Sequence, residues 1–304
     1  MTDDTEQTLA AEMAAEAGAA GAVEGMSLMQ ALILGVVEGI TEYLPVSSTG
    51  HLIVTQRILG IPLDTEQAKL AADAFAISVQ GGAILAVLGL YFPSVKRMIA
   101  GVLGRDEEGR RLALALLVAF LPAAVIGLAF ESVIKEHLFT MWAVVFAWIV
   151  GGAAILAFAR KPDPDPTPPG ALPIPTLRQA LLIGFLQCVA MWPGTSRSLM
   201  VIVGGVLVGL PLRKAVEFSF LLGVITLGAA TSKDVVENGA LMLEVYGMPA
   251  LAVGFVASTV SAFFAVKWLI SYITRHGMQV FGYYRIAIGV GVGVCLYLGL
   301  LPNR

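Results

Sequence analysis

The segment from Ser27 to about Leu59 is as apolar as a membrane span yet broken in its middle, and that break constrains the fold more than any other feature of the chain. Residues 31–51 read ALILGVVEGITEYLPVSSTGH. An apolar helical run stops at Pro45; Ser47, Ser48 and Thr49 then stand where residues cap a second helix, with Gly50 and His51 in its first turn. Neither half reaches the ~20 residues that a span requires. A broken helix persists in hydrocarbon only where its freed backbone groups face protein or a water-filled cavity. The segment is therefore expected to be a re-entrant hairpin held inside a larger helical bundle.

The remaining sequence supplies that bundle. With 57% apolar and 13% charged residues and a mean hydropathy of +0.83, the chain is not an ordinary soluble domain. Runs of about nineteen residues at Ala74–Phe92, Leu112–Phe130 and Met141–Ala159 are expected spans. A proline-rich stretch, Lys161–Gly170, reads as a stiff linker. Residues 180–198, ALLIGFLQCVAMWPGTSRS, then repeat the opening pattern. Ala31 meets Ala180, Gly35 meets Gly184 and Glu38 meets Gln187; with one residue dropped, Pro45 meets Pro193 and Ser48 meets Ser196. A second short helix to about Leu210 follows, then spans near Ala215–Thr231, Pro249–Ser271 and Phe281–Leu301.

The expected fold class is an all-α polytopic membrane protein of two inverted-topology repeats, with about six full transmembrane helices and two re-entrant helix-break-helix hairpins. Repeat one covers 27–159, the linker 160–176 and repeat two 177–301. Residues 1–26 are an acidic, Ala-rich extension without Lys or Arg; they lack the positive charge of a Sec-type n-region and are expected to be a solvated segment. The inverted orientation rests on charge. Loops 93–111, 160–178, 211–214 and 272–280 carry Lys96, Arg97, Arg105, Arg110, Arg111, Arg160, Lys161, Arg178, Arg213, Lys214 and Arg275. Loops 60–73, 131–140, 233–248 and the tail carry only Lys69, Lys135, Lys233 and Arg304. By the positive-inside rule the first set is cytoplasmic and both ends lie outside. Cys188 and Cys295 sit in apolar runs and read as packing residues.

Inverted hairpins would bring two helix N-termini together in mid-membrane, where their unpaired N–H groups and partial positive charge make an anion cradle. Arg197, in the first turn of the second cradle helix between Ser196 and Ser198, adds a fork suited to phosphate oxygens. Glu38 and Glu42 fall four residues apart on one helical face; an acidic pair in the membrane is costly, about 2.5–3.5 kcal/mol per group on insertion scales, and should hold a proton or a cation. A hard divalent cation, Mg or Ca, binds carboxylate and phosphate oxygens together and is the expected cofactor. His51 follows Ser48 by three residues and is close enough to serve as its base or to protonate a leaving oxygen. Plainer readings stand beside these: the hydroxyls as helix caps, Gly35 and Gly39 as a packing face, His51 as a satisfied buried polar group, Arg197 as a snorkelling charge. Gln80 borders the site, whereas Lys267 and Arg285 read as interface or pairing charges.

These residues resemble the undecaprenyl-diphosphate phosphatase family of bacterial inner membranes, the family linked to bacitracin resistance. The resemblance is carried by Glu38–His51 and Gln187–Ser198, and by Val79–Gln80, Ile84–Val87, Glu217–Leu222 and Tyr284–Arg285, so it runs across about residues 27–301. It implies hydrolysis of a C55 isoprenoid diphosphate to the monophosphate and phosphate at a periplasm-facing site of the inner membrane, recycling the carrier of cell-wall synthesis. Carried over by position, Glu38 and Glu42 are the acidic pair tied to metal and activity, Ser48 is the first candidate for the nucleophile with His51 and an activated water as the alternatives, His51 is the acid/base partner and Arg197 the phosphate clamp. Ser47, Thr49, Thr195, Ser196, Ser198 and Gln80 are the substrate-binding residues. Leu199, Ile225 and Ala76 depart from the family's usual Gly, Pro and acidic residue, and Leu199 beside the clamp is expected to narrow the pocket or shift its helix. The partners on this reading are the polyprenyl diphosphate lipid and the bilayer, with room for a homodimer and none for nucleic acid. The rival reading is a secondary transporter or flippase for an anionic substrate, since broken helices and inverted repeats also build transporters.

Overall fold

The computed structural model describes residues 25–138, 140–158 and 170–302. Most of the N-terminal extension and nearly all of the proline-rich linker lie outside these residues. In chain order the helices are α1 Leu28–Thr41, α2 Ser48–Ile58, α3 Glu66–Leu90, α4 Phe92–Val102, α5 Glu107–Leu138, α6 Met141–Phe158, α7 Leu177–Cys188, α8 Arg197–Leu207, α9 Leu212–His276 and α10 Gln279–Tyr297. A 3₁₀ turn, Val189–Met191, follows α7. No strand occurs among the described residues. The stretches Glu66–Leu90, Glu107–Phe130, Leu212–His276 and Gln279–Tyr297 are long and apolar enough to cross a membrane. The molecule is an all-α, multipass membrane protein.

Several expected loops are helical. The stretch 233–248 continues α9, because its residues are mostly good helix formers with apolar side chains recurring at helical spacing. Only Gly247 breaks that helix, at φ 75° and ψ 161°, a conformation closed to residues with a Cβ; Pro249 follows within the next turn. The two legs of α9 pack on the same neighbour: Thr231 Oγ1 donates to Ile77 O of α3 at 3.3 Å, and the Phe255 ring lies over Gly81. Part of the expected loop 93–111 is α4, an amphipathic helix with Pro93 in its first turn, where the missing N–H costs nothing. Likewise α3 begins earlier than expected, at Glu66, because the Thr65 side chain caps it by accepting from Ala68 N at 3.1 Å.

Both broken segments are present, and they share the same devices at their two ends. Ser27 and Gln30 close a capping box at the start of α1, as Thr176 and Gln179 do for α7. Gln30 Nε2 then donates to Leu59 O at 3.0 Å, and Gln179 Nε2 to Val208 O at 2.7 Å, tying each first helix to the end of its partner. The residues before α2 and α8, Ser47 at φ 71° and Ser196 at φ 77°, are the non-glycine residues with positive φ among those described. This corrects the register read from sequence: no residue is dropped, Ser47 pairs with Ser196, and the counterpart of Ser48 is Arg197. The hydroxyl and the guanidinium thus occupy the same first helical position of two equivalent helices.

Packing holds the segments in the interior. A Cβ on Gly35 would run into the backbone of Gly254 on α9, so this residue has to be glycine for the two helices to touch. Beyond it, Gly39 faces Ser258 and Ala262, which confirms the small-residue face as a packing face. In the second segment Gly184 meets Ala119 of α5 in the same way. A central apolar cluster including Tyr43, Val46, Leu199, Phe220 and Val266 joins the two halves. Leu199 is fully buried in it, filling core volume rather than the polar pocket. Both cysteines are free, and Cys188 Sγ donates to Gly184 O at 3.3 Å.

Candidate active site

The end of α1 and the start of α2 fold Glu42 back over Ser48. Ser48 Oγ donates a short hydrogen bond to Glu42 Oε2, and Gln80 Nε2 of α3 reaches the same oxygen at 3.4 Å. The other oxygen, Oε1, accepts from Arg197 Nη2 at 3.1 Å. Glu42 and Arg197 are both largely buried, with side-chain exposures of 4% and 11%, so this ion pair is far less screened than a surface pair. One carboxylate thereby joins a hydroxyl from the first broken segment to a guanidinium from the second.

Arg197 is fixed from three further directions. Its Nη1 donates to Ser219 O of α9 at 3.1 Å, its guanidinium carbon lies 5.7 Å from the centre of the Tyr43 ring, and Gly223 leaves room beside its two terminal nitrogens. Its Nε is buried without a partner. Glu38, one turn before Glu42, is completely buried, and neither of its carboxylate oxygens finds a hydrogen bond. It lies within the field of Glu42 and Arg197.

His51 is held elsewhere. Nδ1 lies 2.7 Å from Ser47 O and Nε2 2.7 Å from the Tyr284 hydroxyl on α10. The ring stacks on Tyr284 at 5.7 Å with an interplanar angle of 5° and meets the edge of Trp148 at 5.1 Å. Its nitrogens are thus engaged away from Ser48, whose hydroxyl goes to Glu42. The other candidate residues divide between structure and site. Ser47 and Ser196 are the N-caps; Ser196 Oγ accepts from Leu199 N at 3.3 Å and pairs with Ser198 Oγ at 2.9 Å. Ser198 Oγ donates to Leu44 O at 2.8 Å, stitching one break to the other. Thr195 is buried in the turn before α8, with its N–H on Trp192 O at 3.1 Å. Thr49, half-buried in the first turn of α2, enters none of these bonds.

Arg285 is the residue whose part sequence reasoning missed. It is completely buried, and its guanidinium donates to Pro45 O at 3.2 Å, Gly194 O at 2.8 Å and Ala147 O at 2.8 Å. One side chain of α10 therefore clasps the two breaks to each other and to α6. Trp148 Nε1 adds a bond to Val46 O at 2.9 Å, and Trp192 Nε1 one to Ala143 O at 3.0 Å. An arginine inside an apolar run was the signal available in the sequence; its carbonyl partners are too distant in the chain to be read there. Lys267 sits over the Phe263 ring at 5.1 Å, as a peripheral charge.

Helix breaks closed around a buried carboxylate, hydroxyl and guanidinium define a multipass membrane protein with a polar site enclosed by apolar helices. Such a site is built to handle a charged group within the bilayer. The chain belongs to the family described as bacitracin resistance protein BacA, whose model matches residues 31–291. It is 45% identical to an undecaprenyl-diphosphatase of Sorangium cellulosum over 87% of this chain and 85% of that protein. It is 46% identical to undecaprenyl-diphosphatase 2 of Rhodospirillum rubrum over 90% and 97%, and 42% identical to an undecaprenyl-diphosphatase of Rhodopseudomonas palustris strain BisA53 over 90% and 98%.

Proposed function

We propose that this chain hydrolyses undecaprenyl diphosphate, the lipid in its relatives' names, to undecaprenyl phosphate and inorganic phosphate. The observation that carries the reading is the Glu42 carboxylate, which accepts from Ser48 on one side and Arg197 on the other. A hydroxyl bonded to a carboxylate has a base in place to take its proton. A guanidinium one oxygen away stands where phosphoryl charge would develop.

In this mechanism Ser48 Oγ attacks the terminal phosphorus while its proton passes to Glu42 Oε2. The bond from that phosphorus to the bridging oxygen breaks, and the lipid monophosphate departs into the bilayer. Water then displaces Ser48 from phosphorus, Glu42 returns a proton to Oγ, and phosphate leaves. Arg197 binds the phosphoryl oxygens, with its unpartnered Nε as the spare donor. The N–H groups at the starts of α2 and α8, beside Ser47, Thr49, Thr195, Ser196 and Ser198, add partial positive charge around the same group. Gln80 holds Glu42 in place. His51, engaged by Ser47 and Tyr284, steadies the cap that presents Ser48 instead of acting as its base.

The donor set also suits a hard divalent cation, Mg or Ca. Both oxygens of Glu38 are buried with no hydrogen-bond partner beside a second carboxylate, which is the environment of an acid expecting a proton or a cation. Among the described residues no group of three or more His, Cys, Asp and Glu side chains gathers, so Glu38 and Glu42 would hold it together with substrate oxygens or water. When bound, it would neutralise the acidic pair and polarise the phosphoryl group.

The same proposal places the two hairpins in inverted repeats and opens the site to the periplasm. The shared end geometry of the hairpins and the basic bias of stretches 93–111 and 211–214 support that orientation. The test of function is phosphate release from undecaprenyl diphosphate with Mg²⁺ or Ca²⁺ by wild type and Ser48→Ala. Release by wild type and loss in Ser48→Ala is the expected result. Full activity in Ser48→Ala would make water the nucleophile, and lipid uptake into vesicles without phosphate release would favour a carrier. A cysteine placed in loop 93–111 should resist an impermeant reagent applied from outside the cell.

A further inference from the structure

We infer that Tyr284 is a positioning residue of the reaction, acting through the imidazole of His51 on the carbonyl that sets Ser48. The inference rests on the phosphatase reading above. A carbonyl only accepts, so the 2.7 Å contact to Ser47 O makes Nδ1 the protonated nitrogen of His51. The neutral ring then offers Nε2 as an acceptor, and the group in front of it at 2.7 Å is the Tyr284 hydroxyl, which donates. The near-parallel stacking of the two rings, at 5°, keeps that bond in register.

The consequence runs back along the chain to the nucleophile. Ser47 adopts φ 71°, a conformation that a residue with a side chain rarely takes and that needs outside support. Its carbonyl accepts from His51 Nδ1 and, more weakly at 3.4 Å, from His51 N. The next residue is Ser48, the first of α2, whose hydroxyl must meet Glu42. Tyr284 therefore fixes the ring, the ring fixes the carbonyl and the carbonyl fixes the turn that presents Ser48. The link also connects the interior to the surroundings, because Tyr284 is 43% exposed and His51 only 8%.

Tyr284→Phe isolates the claim, since it keeps the stacked ring and removes only the hydroxyl. The kcat and KM for phosphate release from undecaprenyl diphosphate are measured together with nitrogen NMR of the labelled histidines, His51 being assigned by comparison with His51→Gln. The expected result is kcat lowered roughly tenfold, the worth of one buried hydrogen bond, with KM within about twofold. Nε2 of His51 should lose its hydrogen-bonded shift while Nδ1 remains protonated. In a His51→Gln background the same substitution should cost nothing further, because the pathway it acts through is gone. An unchanged kcat or an unchanged imidazole spectrum in Tyr284→Phe would overturn the inference. If wild type releases no phosphate, the functional reading fails, and the spectrum still decides whether the Tyr284 hydroxyl holds Nε2 of His51.

Discussion

Replacing Arg285 by Met should loosen the whole site without touching any residue proposed to meet substrate. The guanidinium is completely buried and serves three carbonyls, Pro45 O, Gly194 O and Ala147 O. Methionine has similar length and no donor, so three buried carbonyls lose their partner at roughly 1–3 kcal/mol each. Removing a buried cation returns several kcal/mol of desolvation, which leaves a net destabilisation of about 2–4 kcal/mol. For a chain of this size that is a fall of roughly 3–6 °C in the thermal midpoint. The two breaks would also separate, and an error of about 1 Å between catalytic groups costs roughly 100-fold in rate. Arg285→Lys keeps the charge but has no planar fork, and should recover part of the stability and less of the rate. Thermal unfolding of purified protein in detergent, followed by phosphate-release kinetics on the same samples, measures both. An Arg285→Met protein with wild-type midpoint and wild-type kcat would refute the clasp.

Other substitutions test neighbouring parts of the account. In Gly223→Ala the new Cβ would fall 2.7 Å from Arg197 Nη1, so the guanidinium must shift against Glu42 and kcat/KM should fall about 10- to 100-fold, which phosphate-release kinetics measure. Gly35→Val should destabilise or misassemble the protein, because the side chain would enter the backbone of Gly254; loss of the folded species in size-exclusion chromatography reports it. At the α4–α5 turn, Arg97 beside Asp106, with Gly109 N–H, holds that carboxyl down from its ordinary 3.8 to about 2. A depressed carboxyl stabilises the fold above its unfolded value and loses that contribution as pH falls through its folded value. Melting curves should therefore show no contribution from Asp106 to pH dependence between about pH 5 and 8, and an Asp106→Asn protein should lack the part of the acid-side loss between about pH 4 and 2.

Much of this architecture is written in short-range sequence, and the rest fails to show for physical reasons. Pro45 and Pro193 announce the breaks, and the spacing of Glu38 and Glu42 announces a shared face. The register of the repeat is misread by aligning those prolines, because the true equivalence is set by backbone: positive φ at Ser47 and Ser196 carries no residue-type signature when serine adopts it. Helical spacing offers His51 as the partner of Ser48, yet the chain reversal at Pro45 brings Glu42 to the same hydroxyl from the other side. The stretch 233–248 reads as a loop because it separates two span-length apolar runs, although its propensities favour helix until Gly247 stops it. Arg285 and Tyr284 act on backbone and side chains more than 90 positions away, and contacts of that range leave no local pattern to read.

The joint at Glu42 is where both halves of the site meet, so Glu42→Gln tests the central claim most directly. The amide keeps the size of the side chain but replaces a carboxylate oxygen with a donor: with its oxygen on Arg197 it can only donate to Ser48 Oγ, so the Ser48 bond is reversed and no base remains for the serine proton. With undecaprenyl diphosphate and Mg²⁺, wild type should release phosphate and Glu42→Gln should be slower by roughly 100- to 10,000-fold, with its thermal midpoint largely kept. A folded Glu42→Gln protein that releases phosphate at the wild-type rate would contradict the account.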